Sequence, residues 1–565
     1  VNFQEIFQSL LSDTTSVSLP AFRPELALCG TIIVMLLVRV FNLGRREDAF
    51  FIALVGSALS LYLAAPWIHL SDGELEPTEL FTGLLIYDTF GVYFRGLLLF
   101  FAVLFVVFTR ISGIPDQEDG PDFYTLVLGA TLGMCLMASA NHLLILFLGV
   151  EMASVPSYAL AGMLKGRRRS SEAALKYVIY GAGAAGVMLY GISLLAGVLG
   201  SAHLPTMAAQ LADLIQAGAA PDRTMALVLG ALMVTTGLAF KLSAVPFHFW
   251  CPDVFEGASA EIDAFLSVAS KAAALALLVR VVVGFGHTDL VSGVAQAAEQ
   301  PAAVAAEANV ATDAPDATDV ALASAGGSNA SLEPVRRFLV GLIAFLAAIT
   351  CTLGNLAAYG QTNIKRLLAY STIAHAGYMM MPVAAGVALA GASPAEAERA
   401  FGAVAFYTGV YLFMNLGAFA IVAFLRNQLR SEEIADYSGL VRRSPGMAIC
   451  LALILLSLLG MPPLVGLWAK VAIFAAMINA AEFEPALWIL IGVAGLNTVL
   501  SLFYYVRVVK VMMLDAPLDD AVDTGVPMAS AAGLYVLAVT LPVLVLGIWW
   551  DGLNQWAQAA ASQLL

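Results

Sequence analysis

The chain of 565 residues is 60% hydrophobic and 12% charged, with a formal net charge of −14 at neutral pH. Soluble domains sit near about half apolar and about a quarter charged, so a soluble enzyme is excluded and a single membrane domain over 1–565, bathed in lipid, is expected. The acidity lies mostly in loops and no basic groove accompanies it, which excludes a nucleic-acid partner.

Taken in chain order, apolar runs of about 20 residues between polar breaks predict membrane helices. The N-terminus lacks the basic start and small-residue cleavage site of a signal peptide, so the first hydrophobic helix is expected to stay. The predicted spans begin with Leu26–Gly44, Phe51–Leu70, Asp88–Thr109, Phe123–Ser139, His142–Leu164 and Ala173–Leu199. Met225–Trp250 and Ile262–Phe285 follow. Between His287 and Pro334 the composition turns to Ala, Val, Asp, Ser and Asn, which predicts an external insertion, flexible or weakly helical. The remaining spans are Phe338–Tyr359, Arg366–Ala390, Ala400–Leu425, Met447–Ala480, Ala486–Met512 and Met528–Trp550. An even total of about fourteen puts both termini on one side.

Basic residues concentrate in cytoplasmic loops. Loops after odd-numbered spans hold Arg45, Arg46, Arg110, Lys165, Arg167, Arg168, Arg169, Lys365, Arg366, Arg426, Arg430, Arg442, Arg443, Arg507 and Lys510. The opposite loops hold only Arg23, Arg223, Arg336, Arg337 and Arg399, so both termini are expected outside, on the periplasmic face.

An ionisable group inside a membrane helix costs about 2.5–3.5 kcal/mol on insertion scales and needs a reason. Arg39, Arg95 and Arg280 fall near span ends, where long side chains reach the interface, and Arg95 also faces Asp88 as a structural pair. Lys241, Lys271 and Lys470 sit too deep for that, Glu151 lies mid-span in LFLGVEMASVPSY, and Lys176 lies about one turn inside its span. Internal salt bridges are the plain alternative, but one deep acid cannot pair several deep lysines. An unpaired amine in a low dielectric gives up its proton more readily than in water, and a nearby carboxylate reverses that. Such residues are switchable proton holders with coupled titrations, Glu151 being the partner that sets them.

Two of these lysines adjoin helix-breaking sequence. Lys241 precedes Pro246 in GLAFKLSAVPFHFWCPD, and Lys470 follows Pro462 and Pro463 in LLGMPPLVGLWAKVAIF. Proline frees a carbonyl at membrane depth, which only a protein- or water-lined interior tolerates, and paired breaks point to an ion path. The breaks lie five spans apart, an odd offset that makes the repeated units run in opposite directions. His375 in LLAYSTIAHAGYMMM is a possible relay with Ser371 and Tyr378, and equally a packed histidine. The glycines of YGAGAAGVMLYG lie within a span with no preceding strand and allow close helix packing rather than nucleotide binding. Five separated cysteines without a C-x-x-C pair and six scattered histidines predict no metal or cofactor site.

The stretches GVEMASVPSYALAG, KYVIYGAGAAGVMLYG, FKLSAVPFHFWCPDVFEGA, FLSVASKAA, GNLAAYGQTNIKRLLAYSTIAHAGY and GMPPLVGLWAK resemble the antiporter-like, proton-translocating subunit family of respiratory complex I, the NADH:quinone oxidoreductase. Within it they are most similar to the subunit N group. The resemblance implies an all-α integral membrane protein of about 14 transmembrane helices, with two inverted five-helix repeats and discontinuous helices 7 and 12. On this pattern helices 1–3 occupy 26–122 and the repeats 123–285 and 336–512. The insertion occupies 286–335 and the last helix falls in 513–565.

The same resemblance assigns proton translocation to Glu151, Lys176, Lys241, Lys271 and Lys470. Uptake is expected near Lys241, lateral passage through Lys271 and release by Lys470, with Glu151 and Lys176 as a coupling pair. It implies no redox centre in this chain; NAD(H), FMN, iron–sulfur clusters and quinone belong to the whole complex. The implied partners are neighbouring antiporter-like and small membrane subunits in the bacterial inner membrane. Relatives in the L and M groups and in multisubunit sodium/proton antiporters share the PFHxWxPD-like segment but carry histidine-bearing sequence on the eighth helix, where this chain has Lys271. One departure from the pattern is GASAEIDAF, which sets Glu261 and Asp263 at the cytoplasmic entrance, either to alter proton uptake or merely to solvate a loop.

Two other readings stay open on the residues: a cation/proton exchanger or hydrogenase-linked relative working without NADH, and a mainly structural copy that holds a larger assembly together. Copurification with flavin and iron–sulfur subunits separates the first from the main expectation.

Overall fold

The computed structural model describes residues 3–41, 48–72, 75–115, 119–164, 166–218, 220–287, 332–517 and 525–565. Most of the predicted insertion, together with Arg45, Arg46 and Lys165, lies outside the described residues. The chain opens with α1 (Phe3–Ser12), a π-helical turn, α2 (Leu19–Ala21), α3 (Arg23–Val40), α4 (Asp48–Ala64) and α5 (Pro66–Asp72). A hairpin of β1 (Thr78–Leu80) and β2 (Leu85–Tyr87) precedes α6 (Thr89–Ser112), α7 (Gly120–Ala138), α8 (Leu143–Ala161), α9 (Arg168–Leu199), α10 (Leu204–Gln216), α11 (Pro221–Leu242), α12 (Trp250–Gly257) and α13 (Ala260–Gly286). Then come α14 (Glu333–Ala358), α15 (Ile364–Ala390), α16 (Pro394–Leu429), α17 (Leu440–Arg443), α18 (Pro445–Leu459), α19 (Val465–Ala481), α20 (Leu487–Met513), α21 (Ala531–Ile548) and α22 (Asp551–Ala561).

Twelve helices among the described residues are long and apolar enough to cross a membrane. As far as the described residues reach, each expected span overlaps one or two of the chain's helices. The two outside that twelve are α3, which meets the preceding segment at an 80° bend, and the short pair α18 and α19. Local chemistry starts several of these helices. Asp88 caps α6 by accepting from the Gly91 amide at 2.7 Å, Asn363 caps α15 through the Lys365 and Arg366 amides, and proline fills the first turn of α11, α14, α16 and α18.

The centre of the bundle is α13, all 27 residues of which are buried. It packs against α6, α7 and α11 from the first half and against α15 and α16 from the second. Outer helices are apolar on the face turned away from the bundle, as with Ile179, Leu189 and Tyr190 on α9 and Leu496, Val499 and Phe503 on α20. That is the pattern of helices seated between protein and lipid. A close backbone approach joins α14 to α15, where a Cβ on Gly354 would lie 2.6 Å from the Ala374 amide nitrogen and one on Gly377 2.6 Å from that of Cys351. Glycine at both points removes the side chains that would hold the two helices apart.

Two expectations about charge are corrected here. Arg95 and Arg280 do not reach an interface: each is buried, Arg95 beside Glu25 at 3.0 Å and Arg280 on Asp88. Asp88 therefore pairs with Arg280 rather than Arg95. Both guanidinium groups sit inside the packed bundle, so the carboxylate is closer than solvent. Arg39, by contrast, is about half exposed and pairs with Asp122 near the end of α3. The β-hairpin and the short amphipathic helices α10 and α22 are additional to the expected elements. The hairpin is stitched to the turn after α7, with the Ile86 amide donating to Ser139 O at 2.9 Å and the Asn141 amide donating to Leu84 O at 3.2 Å.

Candidate functional site

Two membrane-depth helices are broken where prolines were expected to break them. Between α11 and α12 the chain runs through Ser243, in the left-handed region at φ 57°, to Pro246; between α18 and α19 it runs through Gly460, at φ 93°, to Pro462 and Pro463. A break exposes carbonyls and amides that lipid cannot satisfy. Trp250 Nε1 donates to Phe240 O at 3.0 Å, and the Val245 amide donates to Thr350 Oγ1 at 2.9 Å. At the second break the donor is Lys470 itself, whose Nζ reaches Leu459 O at 2.8 Å.

The three deep lysines are 1%, 1% and 4% exposed at Lys241, Lys271 and Lys470, which rules out contact with an interface. Lys241 Nζ donates to Ser154 Oγ at 3.0 Å, and Ser154 lies one turn beyond Glu151 on the same face of α8. Lys271 Nζ donates to Thr372 O at 3.1 Å, linking α13 to α15. Lys470 Nζ stands 4.8 Å from the centre of the Tyr378 ring. Among the described residues, none of the three has a carboxylate within ion-pair distance; each hydrogen bond goes to a neutral oxygen.

Near Lys271 and Lys470 lies a group of hydroxyls around His375. The imidazole is buried, with Nδ1 2.7 Å from Tyr407 Oη and Nε2 3.1 Å from Tyr505 Oη. Tyr505 Oη lies 2.6 Å from Ser371 Oγ, and Tyr378 Oη lies 3.1 Å from Thr498 Oγ1. Asn415 Nδ2 donates to Tyr411 Oη at 2.6 Å and to Thr372 Oγ1 at 3.3 Å. Ser371, His375 and Tyr378 thus fall in one neighbourhood on α15. Tyr407, Tyr411, Asn415 and Tyr505 were missed. Their signal was polar side-chain tips at i, i+4 and i+8 within α16, and a tyrosine pair within α20.

Lys176 stands apart from this row. It is 37% exposed and paired with Asp253 at 2.7 Å and Glu172 at 2.9 Å, in a charged cluster that includes Arg366 and Glu256. Its amine is thus held by two carboxylates other than Glu151, the acid with which it was expected to form a coupling pair. Glu261 and Asp263 are corrected as well. They belong to no loop; both lie in the first turn of α13 and are fully buried.

Helices broken beside buried lysines, joined by a hydroxyl-rich interior, define the antiporter-like class of membrane subunit. The family described as "NADH:quinone oxidoreductase/Mrp antiporter, TM" matches residues 140–294 and 329–500, and the chain belongs to it. NADH-quinone oxidoreductase subunit N of Anaeromyxobacter sp. (strain Fw109-5) is 38% identical, the match covering 95% of this chain and 96% of that protein. A subunit N of Sorangium cellulosum (strain So ce56) is 36% identical over 97% of this chain and 98% of its own length. A chain of respiratory complex I from Thermus thermophilus superposes with a TM-score of 0.68 at 28% identity, covering 94% of this chain and 97% of that one. A chain of the Mrp complex from Dietzia sp. DQ12-45-1b shares the fold at a TM-score of 0.73 and 18% identity, over 97% of this chain and 98% of its own.

Proposed function

We propose that the chain works as the proton-translocating membrane subunit of a bacterial NADH:quinone oxidoreductase, passing protons along Lys241, Lys271 and Lys470. The observation that carries this reading is the row of buried lysines without carboxylate partners, two of them at helix breaks. An ammonium held by one neutral oxygen is free to lose its proton when a neighbouring charge changes; one locked to a carboxylate is not. Glu151 is the nearby acid on α8 whose state sets Lys241, and the titrations of the row are coupled. The His375, Tyr407 and Tyr505 hydrogen bonds lie beside the end of the row, the His375 ring 6.0 Å from that of Tyr378, and supply hydroxyls that both donate and accept.

The electrons move elsewhere. Flavin, iron–sulfur clusters and quinone belong to other subunits of the complex, and the present chain supplies only the ion path. The similarity in sequence to curated N subunits favours this over a free-standing cation exchanger, with which the likeness in hand is one of fold.

The test is Lys241→Met in the assembled complex, reconstituted into vesicles. NADH-driven proton uptake into the vesicles should fall about tenfold or more, in keeping with loss of a proton-transfer group. Full coupled turnover in that variant would remove Lys241 from the path.

A further inference from the structure

Glu261 and Asp263 are the least explained charges in the molecule. A carboxylate in the first turn of a helix is favoured by the helix dipole, and one would suffice to complement it. Here two are fully buried. Glu261 Oε1 accepts from Arg426 at 3.3 Å, while its Oε2 has no hydrogen-bond partner. Neither oxygen of Asp263 has one, and the Lys365 ammonium stands at 4.0 Å.

A purely structural ion pair would close that gap. Lys365 instead donates to Ala258 O at 2.7 Å and pairs with Glu432 at 3.0 Å, so its charge is satisfied without Asp263. Leaving a buried carboxylate without hydrogen bonds costs several kcal/mol, which packing alone does not offset.

Polar groups lie on both sides of Asp263, although none is hydrogen-bonded to its carboxylate. On one side, Arg426 and Glu432, the partners of Glu261 and Lys365, line a cavity of about 700 Å³ on the basic face, together with Arg167, Asn363 and Arg430. On the other side, Ser267 and Ser270 follow Asp263 at helical spacings of four and seven residues, on the same face of α13. Ser270 Oγ is buried and has no hydrogen-bond partner. Lys271 is the next residue, about 12 Å along the helix from Asp263 at 1.5 Å per residue.

We propose that Asp263, assisted by Glu261, is a proton-holding station that supplies Lys271 from the cavity on the basic face. A proton from cavity solvent passes to the Asp263 carboxylate, making the neutral acid. It leaves again along the Ser267 and Ser270 hydroxyls to the Lys271 amine, once that amine has given its own proton onward, and Asp263 returns to the carboxylate. The groups facing the station are Lys365 of α15, Arg426 of α16, Glu432 of the loop after it, and Glu261 of α13 itself. This inference rests on the proposed proton path and adds a point of supply at Lys271 to the one near Lys241.

The experiment compares Asp263→Asn, Asp263→Glu and Lys271→Met in the assembled, vesicle-reconstituted complex, reading NADH-driven proton uptake across a range of pH. Asp263→Asn keeps the shape and leaves Lys365 on Glu432. It should slow uptake about tenfold at the alkaline end, with a smaller loss at the acid end where protons are abundant, and Asp263→Glu should restore most of the rate. If Asp263→Asn does not assemble, Asp263→Ala takes its place in the same measurements. Normal uptake in Asp263→Asn beside an inactive Lys271→Met would overturn the station and leave the lysine path standing. An equal loss at every pH, not repaired by Asp263→Glu, would also overturn it, as the mark of a packing role. Normal uptake in Lys271→Met would bring down the lysine path and the station with it.

Discussion

Arg280 grips Asp88 through two parallel hydrogen bonds, each 2.5 Å, between side chains that are almost wholly buried. Arg280 Nε also donates to Ala138 O at 3.0 Å, and Asp88 caps α6, so one charge pair fastens the far end of α13 to the start of α6 and the end of α7. Removing either partner strands the other. Asp88→Ala or Arg280→Met is expected to destabilise the fold by about 3–5 kcal/mol, read as a lower unfolding midpoint of the detergent-solubilised complex. The double replacement should lose less than the two single losses added together, and strict additivity would mean that the pair is not acting as a unit.

Gly460 links local backbone geometry to the ion path. It ends α18 at φ 93°, and a Cβ there would meet Lys470 Cδ at 3.0 Å. Gly460→Ala should cost about 1 kcal/mol in backbone strain and displace the amine from Leu459 O, lowering proton uptake more than stability. Gly492, in α20, has nothing within 4 Å of the same added atom. Gly492→Ala is the matched control and should leave uptake unchanged.

The hairpin over the bundle end carries a pH-dependent clasp. Glu79 Oε1 lies 2.8 Å from His203 Nε2 and accepts from Asn141 Nδ2 at 3.0 Å. The hydrogen bond with His203 holds the Glu79 carboxyl below its ordinary value of 4.5, with partial burial working the other way. A depressed folded value stabilises above the unfolded value, so the contribution is whole above about 4.5 and disappears as pH falls through the lower folded value. Amide exchange in β1 and β2 should accelerate relative to the rest of the protein over that acid window. Glu79→Gln should flatten the dependence; a hairpin with the same acid response in that variant would place its origin elsewhere.

The fold was legible where one principle dominates. Apolar length alone located α6, α9 and α13, and the cost of a proline at membrane depth marked both breaks beside Lys241 and Lys470. What stayed hidden depends on partners far apart in sequence. Nothing near Arg280 announces Asp88, 192 residues earlier, and so a buried pair looked like a charge reaching the interface. Lys176 looked buried because its span is apolar, yet the α9 face that carries it meets Asp253 of α12. Tyr407 and Tyr505 went unnoticed because tyrosine is common in membrane helices, and only three-dimensional packing turns both hydroxyls toward His375.

That packing bears on how His375 works. A neutral imidazole donates from one nitrogen and accepts at the other, and here each nitrogen faces a tyrosine hydroxyl capable of either role. The ring can therefore exchange tautomers without losing a hydrogen bond, which a relay requires and a merely packed histidine does not. Tyr505→Phe removes one of those hydroxyls and also the 2.6 Å contact to Ser371. It should slow proton uptake about tenfold. The neighbouring Tyr504, its ring 4.3 Å from that of Tyr505, donates to Asn355 Oδ1 at 2.9 Å rather than to His375. Tyr504→Phe should cost about 1 kcal/mol of stability and leave uptake intact. Equal uptake in the two variants, whether both fast or both slow, would reduce Tyr505 to a structural hydroxyl and His375 to a packed one.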